Sequence, residues 1–164
     1  MPITNDEQMI MMLGGIASKV IEKVSTDMLF ILKGYINDET YTDVPNAWYY
    51  NGDKKPTYQF REAFEFTKIE NKMKQIVTEL FYNWQEMSYD PDTFLHGSPW
   101  NGDMRQQLAD ILNVDGSTGF SNKIRQPYWD DYIKAMFDQN GLTKLFDVYM
   151  RQEFGKHGIM ITKG

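Results

Sequence analysis

The chain has 164 residues, 41% hydrophobic and 24% charged, which suits one globular domain with a real core and excludes a disordered tail. A formal net charge of −6 argues against a generic nucleic-acid binder, because phosphate affinity comes mainly from Lys and Arg. With no cysteine there is neither a disulfide framework nor thiolate chemistry, as suits folding in a reducing compartment.

The opening Met1-Pro2-Ile3-Thr4-Asn5-Asp6-Glu7 lacks the basic start of a signal peptide, and no apolar run is long enough to span a bilayer. A soluble chain with no membrane partner is expected. Thr4-Asn5-Asp6-Glu7 has the form of a capping box, with acids at the positive helix end. Met9, Leu13, Ile16, Val20, Val24, Met28 and Leu32 then recur at steps of three and four, which predicts one buried face of a helix over about residues 5–36. Such a helix is roughly 48 Å long and projects beyond a small core. Met12 is expected in that core, as is Met9. Met11 falls off the main stripe and is therefore an interface candidate. Gly14-Gly15 marks a place for a kink or for close approach of another backbone.

Periodicity stops between Asn37 and Pro56, where Asp43-Val44-Pro45-Asn46 and Asn51-Gly52-Asp53 are turn chemistry around Trp48, Tyr49 and Tyr50. Residues 60–84 read as a hairpin: Phe60, Phe64 and Phe66 begin it and Glu70-Asn71-Lys72 turn it. Gln75 to Trp84 return, with Ile76, Thr78, Leu80, Tyr82 and Trp84 on one face. A second irregular stretch, Tyr89 to Gly102, holds His96 and Trp100. Large aromatics in irregular segments need either a local core or a partner, so Trp48, Tyr49, Tyr50 and Trp100 join Met11 as interface candidates. Helices follow at about 103–113, 128–138 and 141–156, separated by a polar loop from Gly116 to Gln126. Gly155 or Gly158 stops the last helix, and Ile159-Met160-Ile161 reads as a short terminal strand. The class is α+β in a single domain spanning 1–164: a long N-terminal helix, an antiparallel β-hairpin or sheet, and C-terminal helices.

Chemistry is sparse. Two histidines, His96 and His157, are too few for a multi-histidine metal site, and Asp90-Pro91-Asp92 lacks calcium-loop spacing. Gly97-Ser98-Pro99 is not a nucleophile elbow, and no phosphate-binding glycine loop occurs. No catalytic residue, cofactor or metal is assigned. A small enzyme or metal-binding protein would have to use the His96 loop with Asp103.

The order of elements resembles the neck or tail-completion (head–tail joining, minor tail) family of long-tailed bacteriophages. Arg125-Gln126-Pro127-Tyr128-Trp129 before the C-terminal helices and Gly155-Lys156-His157-Gly158-Ile159 near the end carry the likeness. Tyr89-Asp90-Pro91, His96-Gly97-Ser98, Gly102-Asp103 and Asp110-Ile111-Leu112-Asn113 add to it. The chain departs from that pattern where Gln59-Phe60-Arg61 replaces a Thr-Gly-hydrophobic entry to the hairpin. The resemblance implies a non-enzymatic virion protein made in the host cytoplasm, forming a homo-oligomeric ring, with a hexamer expected. That ring would lie between the connector or portal and the tail tube, with DNA only as passing cargo. A minor capsid or tail-terminator role is the alternative within the same class.

Overall fold

A computed structural model describes residues 6–41, 59–72, 75–87, 105–113, 116–117, 124–125 and 127–162. The fold is α+β: a long N-terminal helix, small two-stranded sheets, and C-terminal helices. The chain divides into two compact units. Met1–Leu29, Phe66–Glu79 and Ala135–Gly164 form the first, and Phe30–Glu65 with Leu80–Lys134 the second. Helix α1, Asp6–Ile36, supplies both and continues as a π-helical turn at Asn37–Tyr41.

In the first unit, α1 packs along α5, Gly141–Gly155. Ile16, Val20 and Val24 are buried at steps of four, and Met12 and Met28 extend the stripe half-buried. Against them lie Leu142, Leu145, Phe146, Tyr149, Met150 and Phe154 of α5. Full burial of each aliphatic side chain contributes about 1.5–3 kcal/mol, so this stripe dominates the pairing. Helix α1 runs unbroken through Gly14-Gly15, and a Cβ at Gly15 would meet nothing within 4 Å, so no other described backbone makes the close approach that Gly15 would allow.

Strands β2, Glu70–Lys72, and β3, Gln75–Val77, pair antiparallel with Lys72 opposite Gln75, so Glu70-Asn71-Lys72 is strand and not the expected turn. The return arm is not one continuous strand. Thr67 interrupts it by holding Glu79 through both its backbone N–H and its hydroxyl, while the Thr78 hydroxyl donates to the Thr67 carbonyl. At the far end of α5, Gly158 takes φ 73° and the Ile159 N–H returns to the Phe154 carbonyl at 3.1 Å, the glycine-stopped helix end. Ile159-Met160-Ile161 is not a strand. Among the described residues it pairs with no neighbour strand, and Arg151 of α5 donates to the Ile161 carbonyl at 2.6 Å.

In the second unit, Phe60 belongs to a helical turn, α2 (Gln59–Glu62), and not to the hairpin. Its ring meets three others edge-on: Phe64 at 5.4 Å, Tyr82 at 5.6 Å and Tyr128 at 5.8 Å. Phe64 also stacks on Tyr82 at 5.0 Å, which ties β1 (Phe64–Phe66) to β4 (Leu80–Tyr82), its partner strand. Trp84 has left the strand for a 3-10 turn, Trp84–Glu86. Helix α3 is shorter than expected, Leu108–Leu112, preceded by a turn over 105–107. The expected polar loop contains a small antiparallel bridge: β5, Gly116–Ser117, pairs with β6, Ile124–Arg125. Helix α4, Tyr128–Ile133, continues as a π-helical stretch Lys134–Asp138.

Candidate functional site

Two places stand out, one in each unit. The first depends on how α5 is fixed against α1. Glu153 is only 1% exposed, and its Oε1 accepts hydrogen bonds from Lys23 at 2.7 Å and Lys156 at 2.6 Å. The Lys156 and Lys23 ammonium groups hold the Glu153 carboxyl down at about 2, outweighing the opposing effect of burial. The hydrogen bond to Glu153 raises Lys23 in return. One helical turn away the Tyr149 hydroxyl donates to Asp27, which pushes the phenol up, and the Lys23 ammonium lies 5.4 Å from the Tyr149 ring centre.

These pairs set the helices antiparallel, with Asp27 beside Tyr149 and Lys23 beside Glu153. Helix α5 ends at Gly155, so the first turns of α1 pass beyond it. Met9, Ile10, Met11 and Leu13 there are 46%, 65%, 71% and 39% exposed. Successive helical residues are rotated by about 100°, so the run Met9 to Leu13 places apolar groups around the whole circumference. An apolar helix surface on all sides is ordinarily one that neighbours enclose.

Met11 is therefore exposed as the sequence predicts, whereas Met9 and Leu13 are not core residues. The helical period identifies their face correctly, but α5 stops before reaching it. Ile10 lies off the predicted stripe and is exposed as well. The five-residue run Met9-Ile10-Met11-Met12-Leu13 was its available signal. Trp48, Tyr49, Tyr50 and Trp100 lie outside the described residues, as does the His96 loop. Among the described residues no group of three metal-ligating side chains forms, and no helix is long and apolar enough to cross a membrane.

The second place is a cavity of about 230 Å³ in the second unit. Phe64, Phe81, Tyr82, Tyr128 and Trp129 line it together with Leu80, Ala109, Asp110 and Asn113. Asn113, just after α3, builds its wall: its Oδ1 accepts the Trp129 backbone N–H at 2.8 Å, capping the first turn of α4 from a distant segment. Its Nδ2 faces the Asp130 carboxylate at 3.5 Å. The Tyr128 hydroxyl donates to the Ala109 carbonyl at 3.1 Å; burial raises that phenol most, and Tyr82 and then Asp110 add to it.

No protein-family model, curated protein or solved structure matches the chain.

Proposed function

We propose that this chain is a non-enzymatic structural protein of a bacteriophage virion. In this reading copies of it form a ring at the head–tail junction, between connector and tail tube, through which DNA passes. The observation that carries the assembly part is the apolar collar of Met9, Ile10, Met11 and Leu13, exposed on the first turns of α1 beyond the end of α5. Exposed apolar surface of this kind marks a protein–protein contact. Heterologous contacts, in which one patch meets a different patch on the next copy, close into rings when the rotation between copies returns to its start. Placement in the phage neck is supported by the sequence likeness around Arg125 to Trp129 and Gly155 to Ile159. The charge of −6 suits a DNA conduit, because an acidic lumen repels passing phosphates.

The test has two arms. Ile10→Asp with Met11→Asp, followed by sedimentation, should leave a folded monomer that no longer assembles. Labelled antibody on intact particles should mark the junction of head and tail. Assembly unaffected by the double substitution refutes the collar as the contact, and label elsewhere on the particle refutes the location.

A further inference from the structure

The aromatic cavity of the second unit has a size, a lining and a charge that together specify a ligand. Pockets for drug-sized molecules occupy roughly 300–1,000 Å³. At about 230 Å³ this one holds a single long side chain, and a nucleotide is too large for it. Five aromatic residues line it, Phe64, Phe81, Tyr82, Tyr128 and Trp129; Phe64 and Tyr128 are buried at the base, and Phe81, Tyr82 and Trp129 keep accessible ring surface. Aromatic faces attract cations. The chain already uses this contact, since the Arg105 guanidinium lies 5.3 Å from the Trp84 ring centre.

The charge of the lining has the matching sign. Asp110 lines the cavity and is exposed. Asp130 sits beside it through Asn113, and among the described residues neither carboxylate has a cationic partner. Phosphates and carboxylates are repelled by this pair, and a neutral apolar group leaves it unused. Of the two cationic side chains, arginine fits better. Its planar guanidinium stacks on rings and bonds a carboxylate through two N–H groups at once, whereas an ammonium is a compact, strongly hydrated point charge.

We propose that this cavity receives an arginine side chain of a partner protein, its guanidinium between the aromatic rings and the Asp110 carboxylate. The assignment goes beyond the virion reading and stands whether or not that reading holds, because it concerns the second unit alone.

The probe is N-acetyl-argininamide, titrated into the isotope-labelled full chain and followed by amide and indole NMR shifts. Saturable shifts in the millimolar range should centre on Phe81, Ala109 to Asn113 and Trp129. The neutral isostere N-acetyl-citrullinamide should bind several-fold more weakly, and Asp110→Asn should reduce arginine binding to that level. Equal binding of the two probes overturns recognition of charge. An absence of saturable shifts at the lining residues overturns the site. Because the citrulline comparison uses the unaltered chain, it decides the matter even if the Asp110 variant folds poorly.

Discussion

Glu153 on α5 and Lys23 on α1, 130 positions apart, share a 2.7 Å hydrogen bond at a carboxylate with almost no contact with water. Lys156 approaches the same oxygen, and the other carboxylate oxygen, Oε2, has no hydrogen-bond partner among the described residues. The folded chain thus holds this carboxyl ionised down to about pH 2, against an ordinary value of 4.5. A folded value below the unfolded one stabilises the fold above the unfolded value, and the gain is lost as pH falls through the folded one. Urea unfolding of wild type and Glu153→Gln should therefore differ by a constant amount at neutral pH. Between about pH 4.5 and pH 2 the difference should shrink. A difference that does not change with pH would show that the carboxylate charge is not the source.

Exposure along α1 separates residues that hold the fold from those of the proposed contact. Ile16→Ala removes buried volume from the α1–α5 contact and should cost about 2–5 kcal/mol. Met11→Ala, on the exposed collar, should change monomer stability by no more than about 0.5 kcal/mol. Thermal unfolding at low concentration, alongside sedimentation at high concentration, distinguishes them. Ile16→Ala should lower the midpoint, and, on the ring reading, Met11→Ala should weaken assembly.

Two glycines should respond with opposite signs. Gly15 lies inside α1 with open space where a side chain would go, so Gly15→Ala should stabilise by about 1 kcal/mol. At Gly141 an added Cβ would lie 2.6 Å from the Ala135 carbonyl oxygen and 2.9 Å from the Met136 methyl. Gly141→Ala should cost about 1–3 kcal/mol by overpacking. Melting temperatures of the two variants check both.

Asn113→Ala removes the acceptor for the Trp129 N–H at the start of α4, where Pro127 at the cap position supplies no side-chain bond. The loss should be about 0.5–2 kcal/mol, the usual cost of a missing helix cap. Chemical unfolding followed by tryptophan fluorescence measures it. The same substitution opens one wall of the aromatic cavity, so arginine binding should weaken as well.

Much of the helical frame is legible in the residues, and the limits have physical causes. The apolar period from Ile16 to Leu32 marks α1, and Pro127, Asn140-Gly141 and Gly158 punctuate the C-terminal helices. Periodicity reports a face and says nothing about how far its partner extends, which is why Met9 and Leu13 read as core. Phe60 reads as strand because aromatics favour sheets, but in the structure its ring serves an aromatic cluster from a helical turn. Ile159 to Ile161 have strand composition, yet a strand requires a neighbour with free backbone groups, and Arg151 takes the carbonyl first. Nothing in the order of residues singles out Glu153 for burial or brings Asp110 to five aromatic rings. Both follow from packing between segments far apart in the chain.

The antiparallel pairing of α1 with α5 also sets a schedule during translation. Ile16, Val20 and Val24 leave the ribosome well before Leu142 to Phe154, the residues that cover them. At roughly 5–20 residues per second, the intervening stretch takes on the order of ten seconds to make. Throughout that interval the buried stripe is as bare as the collar beside it, and α1 offers one continuous greasy surface to chaperones and to its own siblings on the same message. Completion of α5 withdraws the stripe from that competition and leaves the collar in it.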